Sequence, residues 1–172
     1  MSTSTVFVSL GTNIDREHHL QKGLAALESK YGRLILSSLF ECEPVGFIGD
    51  NFYNMVIAFD TTDSLDEIAR FLRQVEFDNG RPQNAQKYSS RTLDLDILLY
   101  GQDVTEKPVQ IPRAEISKNA FVLAPLAELA SEFIHPHTQL SIDEMWRRFD
   151  KQTQPLKNVD FKWNNNEVEI KK

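Results

Sequence analysis

The 172-residue chain carries 19 Lys and Arg against 25 Asp and Glu, a formal charge of -6, with 41% apolar and 26% charged residues. That length and mix suit one domain able to bury a core without disulfides, and the single cysteine, Cys42, excludes an intramolecular disulfide and a cysteine-cluster metal site. The acidic balance argues against a nucleic-acid binder, whose footprint is a basic face, and no run approaches the roughly 18 apolar residues of a membrane span or the pattern of a secretory leader, so a cytoplasmic protein with neither nucleic-acid nor membrane partners is expected.

"TVFVSLG", Thr5 to Gly11, is a β-branched and apolar run closed by glycine and predicts a first strand. In "DREHHLQKGLAALESKYG", Leu20, Leu24, Leu27 and Tyr31 recur at helical spacing, with Asp15 as the expected N-cap and Gly32 as the stop. "RLILSSLFECEPVGF" predicts a second strand running into a loop punctuated by Pro44 and Gly46, and "FYNMVIAFDT" a third strand. Ser64 and Glu67 stand at capping-box spacing at the head of "SLDEIARFLRQVEFDNG", the second helix, which stops at Gly80. "RPQNAQKYSS", Arg81 to Ser90, has no periodicity and reads as a long polar loop. The strand "TLDLDILLY" follows, then "GQDVTEKPVQIP" as a hairpin or short extended pair.

"SKNAFVLAPLAELA" and "SIDEMWRRFD" predict two more helices, the first with Pro125 in its first turn or at a kink. Residues 1–150 are expected to form the domain and 151–172 a polar tail, in which "VDFKW" offers an edge strand. The order β-α-β-β-α-β with terminal helices implies an α+β fold, a ferredoxin-like antiparallel sheet with helices packed on it.

Asp94 and Asp96 alternate with Leu93, Leu95 and Ile97, so on a strand the two carboxylates share one face, roughly 6.5 Å apart along the chain. Carboxylates that close repel unless something positive lies between them. Two readings stand: a half-solvated strand whose outward positions happen to be acidic, or ligands of Mg²⁺, a hard cation that takes one or two carboxylates together with substrate phosphates. Arg81, Lys87 and Arg91 cluster beside the pair in an otherwise acidic chain, either as a solvated basic loop or as the cations of a polyphosphate site. "SLGTN", Ser9 to Asn13, reads as a structural turn. Asn54 stands out because an amide is disfavoured within a strand and, if buried, must find partners. Tyr53 and Phe121 fit the core, and His135 and His137 a loop.

In order along the chain, "SLGTN", "FYN", "VEFDNGR", "RTLDLDILLYG" and "AFVLAPLAELA" resemble the 6-hydroxymethyl-7,8-dihydropterin pyrophosphokinase family, from about Thr5 to Phe149. The resemblance implies transfer of a diphosphate from ATP to the pterin hydroxymethyl group in folate biosynthesis, with release of AMP, two Mg²⁺ ions and a three-layer α/β/α sandwich. By the same resemblance Asp94 and Asp96 hold the metals and, with Arg81 and Arg91, form the catalytic set. Arg81, Lys87, Arg91, Ile97 and Arg113 fall on the nucleotide side. Cys42, Glu43, Val45, Phe52, Asn54, Tyr88 and Phe121 fall on the pterin side, and a monomer is expected. Tyr88 stands where the family commonly has tryptophan, Gln83 where a second loop arginine is frequent, Arg113 where a histidine is usual and Asn119 where an arginine is usual. Two functional readings therefore follow: an active pyrophosphokinase, on the intact acidic pair, and a pterin-binding paralogue with altered or lost transfer, on the nucleotide-side departures. A ferredoxin-like interaction module without small-molecule chemistry is the third.

Overall fold

A computed structural model of the chain describes residues 2–81, 90–163 and the backbone of 166–167. Its framework is an antiparallel sheet in the order β5-β1-β4-β3-β6, with β2 also paired to β4. The strands are β1 (Ser4–Thr12), β2 (Ile35–Leu36), β3 (Leu39–Cys42), β4 (Phe52–Thr61), β5 (Asp94–Tyr100) and β6 (Lys157–Val159). Helices α1 (Arg16–Tyr31), α2 (Leu65–Asp78), α3 (Ala120–Leu129) and α4 (Ile142–Arg148) complete the body. Among the described residues no helix is long and apolar enough to cross a membrane.

Strand alternation divides the apolar residues between two cores. Val6, Val8 and Leu10 of β1, Met55, Ile57 and Phe59 of β4, and Leu95 and Ile97 of β5 pack with Leu20, Leu24 and Leu27 of α1 and Ile68, Leu72 and Val75 of α2. The opposite face puts Val56 and Leu98 against Val122, Leu123 and Leu126 of α3 and Ile142 and Met145 of α4. The result is the expected α+β three-layer sandwich, with β1 and β4 inside the sheet and β5 at its edge. Gly23 lets α1 sit close to the sheet, since a Cβ there would meet Leu10 at 3.0 Å and Leu93 at 3.2 Å.

Four expectations are corrected. Asp15 occupies the cap position of α1, but its backbone is left-handed at φ 47 and its side chain makes no cap bond; a capping carboxylate needs an extended backbone to reach the first-turn N–H groups. The second strand breaks at Ser37 and Ser38, because the Ser37 hydroxyl enters the ladder: it accepts from Val56 N–H at 2.8 Å and donates to Ser38 O at 2.8 Å. Pro125 lies inside α3 rather than in its first turn, leaving the Phe121 carbonyl without the helical N–H it would otherwise meet. The segment Gly101 to Pro112 closes through one reciprocal bridge, Thr105 with Ile111, rather than a strand pair.

The edge strand expected near "VDFKW" begins slightly earlier: β6 pairs Leu39 with Val159 and Glu41 with Lys157. Beyond it, β7 (Lys162–Trp163) pairs with β8 (Asn166–Glu167), and the Trp163 indole donates to Glu28 at 3.1 Å.

The capping box of α2 is present in both halves, Glu67 N–H to Ser64 Oγ and Ser64 N–H to Glu67 Oε1. Ser64→Ala should cost about 1 kcal/mol and lower the melting temperature by about 2–4 °C, read by thermal denaturation; an unchanged melting temperature would show that packing alone holds this helix.

Candidate active site

Three neighbouring strands build the floor of a cavity of about 650 Å³. In register, Gly11 of β1 lies between Asn54 of β4 and Asp94 of β5, and Ser9 is paired with Asp96. Paired residues share a face, so the amide and the two carboxylates project together beyond the part of the sheet that α3 covers. Glycine is required in the middle of this row, because a Cβ at position 11 would come within 3.0 Å of Asn54 Oδ1. The absent side chain leaves open floor between an amide at one end and a carboxylate at the other.

One end is amide and aromatic. Asn54 is 6% exposed, and its Nδ2 donates to Cys42 Sγ at 3.1 Å, which fixes the plane of the amide. Burial pushes the Cys42 thiol up to about 12, with Asn54 pulling it down, so Cys42 stays protonated and serves as a hydrogen-bonding neighbour rather than a nucleophile. Phe52 lines the same end and meets Phe47 edge-on, with ring centroids 6.2 Å apart. Phe121 enters from the first turn of α3. The start of that helix is tied down by Gln154, whose side chain accepts from Ala120 N–H at 2.8 Å and donates to Lys118 O at 2.9 Å.

The other end is ionic. Arg81 reaches Asp94 at 3.4 Å and Glu76 at 3.3 Å, while Arg113 reaches Asp96 at 3.4 Å and also pairs with Glu115. Glu76 comes from α2 around the sheet edge and accepts the Leu95 N–H at 2.8 Å. Four carboxylates therefore share this end with Arg81, Arg113, Arg73, which lies 3.8 Å from Glu76, and Arg91, whose backbone leads into β5. Burial, and then the neighbouring Asp94, push the Asp96 carboxyl up to about 8 against the pull of Arg113. Burial likewise pushes Glu76 up to about 7, with the Leu95 N–H opposing and Asp94 adding to the rise. The two raised carboxyls mark burial and like-charge crowding that the arginines only partly offset, and a cation placed between the carboxylates would relieve it.

All the expected site residues that are described line this one cavity: Cys42, Glu43, Val45, Phe52, Asn54 and Phe121 at one end, Arg81, Arg91, Asp94, Asp96, Ile97 and Arg113 at the other. Lys87 and Tyr88, like Gln83, lie outside the described residues. Sequence reasoning missed Glu76, Phe47, Glu115 and Lys118, which also line the cavity. Only Glu76 had a usable signal. It falls four residues after Leu72 and eight after Ile68, on the stripe that α2 buries, where a carboxylate demands a partner.

A family model described as 7,8-dihydro-6-hydroxymethylpterin-pyrophosphokinase (HPPK) matches residues 7–131. The chain belongs to the HPPK family. It is 32% identical over 151 residues to a 2-amino-4-hydroxy-6-hydroxymethyldihydropteridine pyrophosphokinase of Bacillus subtilis, covering 85% of this chain and 90% of that one. A relative of the same description from Pseudomonas aeruginosa is 35% identical over 136 residues, covering 76% and 83%. Among solved structures, wild-type Plasmodium falciparum HPPK-DHPS with SDX-DHP superposes with a TM-score of 0.66 at 15% identity, covering 87% of this chain and 44% of that one. This chain thus spans less than half of that solved chain, and the likeness to it is one of fold.

The raised carboxyls set a pH dependence for the ligand-free HPPK chain. Burial and the neighbouring Asp94 push Asp96 up from the ordinary aspartate value of 3.8 to about 8 in the folded chain. The folded chain therefore holds this proton more tightly, and the associated stability is complete below about pH 4 and lost as pH rises through about 8. The melting temperature of wild type relative to Asp96→Asn should fall between about pH 4 and 8; a constant or rising difference would show that Asp96 is ionised without penalty.

Proposed function

We propose that this chain transfers diphosphate from ATP to the hydroxymethyl group of 6-hydroxymethyl-7,8-dihydropterin, releasing AMP, as a cytoplasmic monomer in folate biosynthesis. The observation that carries the reading is one cavity with a buried amide between aromatic rings at one end and a carboxylate pair flanked by arginines at the other. A flat heterocycle with donor and acceptor edges suits the first, and a metal polyphosphate the second.

The donor set fits Mg²⁺. Asp94 and Asp96 offer oxygen ligands on one strand face, and among the described residues no group of three or more His, Cys, Asp or Glu side chains makes a closed metal cage. Mg²⁺ keeps several waters and takes few protein ligands when phosphates supply the rest, and two such ions, held by Asp94 and Asp96, would neutralise the polyphosphate and polarise the phosphorus under attack.

The chain's own residues orient and neutralise. The Asn54 amide pairs with the edge of the pterin, and the rings of Phe52 and Phe121 hold its faces, with Cys42, Glu43 and Val45 completing the wall. Arg81, Arg91 and Arg113 meet phosphate oxygens, for which the guanidinium fork is suited. Ile97, whose side chain lies in the core, borders the nucleotide through its backbone on the outer strand. In the reaction the pterin hydroxymethyl oxygen forms a bond to the β-phosphorus while the bond from that phosphorus to the oxygen bridging the α-phosphate breaks. AMP leaves with that oxygen, and the hydroxyl proton passes to water. Positioning and charge neutralisation supply the acceleration.

The paralogue reading is not favoured. Arg113, one of the nucleotide-side departures, already reaches the acid pair, where a guanidinium can also meet phosphate.

Incubation with ATP, Mg²⁺ and 6-hydroxymethyl-7,8-dihydropterin should yield AMP and the pterin diphosphate in equal amounts, and ADP as the nucleotide product would overturn the assignment. Asp94→Ala and Asp96→Ala should each lower kcat by about a hundredfold or more, some 3 kcal/mol, with a native circular dichroism spectrum. Turnover at the wild-type rate in either variant would remove the carboxylates from the reaction. Asn54→Ala should weaken pterin binding by about 1–3 kcal/mol and leave the nucleotide unaffected in calorimetry; equal losses for both would mark the amide as structural.

A further inference from the structure

Asn13, the last residue of "SLGTN", is only 3% exposed, and its bonds reach well beyond a turn. Its Oδ1 accepts the Arg91 N–H at 2.8 Å, and its own N–H donates to Arg91 O at 3.0 Å. Its Nδ2 donates to Asp50 O at 3.0 Å and to Ser90 Oγ at 3.2 Å. Both amide hydrogens and the amide oxygen are therefore committed, and they join three segments: the end of β1, the loop from Glu43 to Asn51, and the lead-in to β5.

Each of the joined segments carries one side of the cavity. The lead-in brings Arg91 to the ionic end, and the loop brings Glu43, Val45 and Phe47 to the aromatic end. Packing and a second hydrogen bond also tie the loop to its surroundings. Gly49 lies against the Phe47 ring and Ser90, where a Cβ would come within 3.0 Å of the ring and 3.3 Å of Ser90 Oγ. At its far end Arg16 donates to Asn51 O at 3.2 Å, pairs with Glu41 at 3.0 Å and lies 3.9 Å over the Tyr53 ring. A shift of the Arg91 backbone is thus passed through one buried amide to Asp50 and the wall containing Phe47. A turn residue with a purely local role would not need a side chain bonded 37 and 77 residues away.

We propose that Asn13 is a positioning residue that couples the two ends of the cavity, so that a polyphosphate that shifts Arg91 also shifts the loop wall that meets the heterocycle. The proposal rests on the reading of the cavity as a pterin and ATP site. A wall already shifted by the first ligand need not be shifted again for the second, which makes the binding of each favour the other by the same factor.

The test measures that factor in the whole chain. The dissociation constant of 6-hydroxymethyl-7,8-dihydropterin is determined by calorimetry with and without Mg²⁺ and α,β-methylene-ATP, whose α–β bridge cannot break. The nucleotide analogue should tighten the pterin by about fivefold or more in wild type and by less than about twofold in Asn13→Ala. Asn13→Asp keeps an acceptor for the Arg91 N–H but lacks the donors to Asp50 and Ser90. It should bind the analogue within about twofold of wild type while losing the coupling, and amide exchange across residues 43–51 should quicken. A residue that merely stabilised the fold would lower the melting temperature and leave the ratio of the two pterin constants unchanged.

Wild-type coupling in either variant overturns the proposal, as does a wild type that binds both ligands without coupling. If Asn13→Ala fails to fold, Asn13→Asp decides. A wild type that binds neither ligand overturns the functional reading and the proposal with it.

Discussion

The site depends on carboxylates crowded together at the edge of the sheet. Asp94 and Asp96 project from β5 beside Glu76 and Glu115, and Arg81 and Arg113 reach them at 3.4 Å without cancelling them. Like charges held together on rigid elements cannot relax apart, so burial and mutual repulsion lift the Asp96 and Glu76 carboxyls instead. Such a cluster costs stability in the ligand-free chain. In the proposed function the cations that accompany a nucleotide polyphosphate remove that cost.

The fold supplies the rigidity this needs. β1 is flanked on both sides along its length, by β4 and β5, and its Gly11 is the gap between the amide and the acids. α2 is capped at its beginning by Ser64 and delivers Glu76 from its last turn to the Leu95 N–H. The edge position of β5 allows this, since a central strand would have no outward N–H to offer a side chain. The aromatic end is fixed differently, through Gln154 at the head of α3 and the pins on the loop between β3 and β4.

Much of this is legible in the sequence because it is local. The alternation through Asp94, Leu95, Asp96 and Ile97 assigns the acids to one face and the apolar residues to the other, and the Ser64 and Glu67 spacing marks the start of α2. What is not legible involves partners distant in sequence. Nothing near Asn13 indicates Asp50 or Ser90, and nothing near Arg113 indicates Asp96. Ser37 breaks its strand because its hydroxyl meets Val56, nineteen positions on. Asp15 has the composition of a cap but not the backbone angle. Glu76 lies between, visible as a carboxylate on an apolar stripe but without a stated partner until α2 is docked.

The central claim is that the Asp94 and Asp96 face binds nucleotide only together with a divalent cation. Calorimetric titration of α,β-methylene-ATP tests it directly, once with Mg²⁺ and once with chelator, at fixed ionic strength. The account predicts binding with Mg²⁺ and a loss of at least about a hundredfold, on the order of 3 kcal/mol, without it. Equal affinity in the two titrations would show that the arginines alone hold the phosphates and that the carboxylate pair is not a metal site.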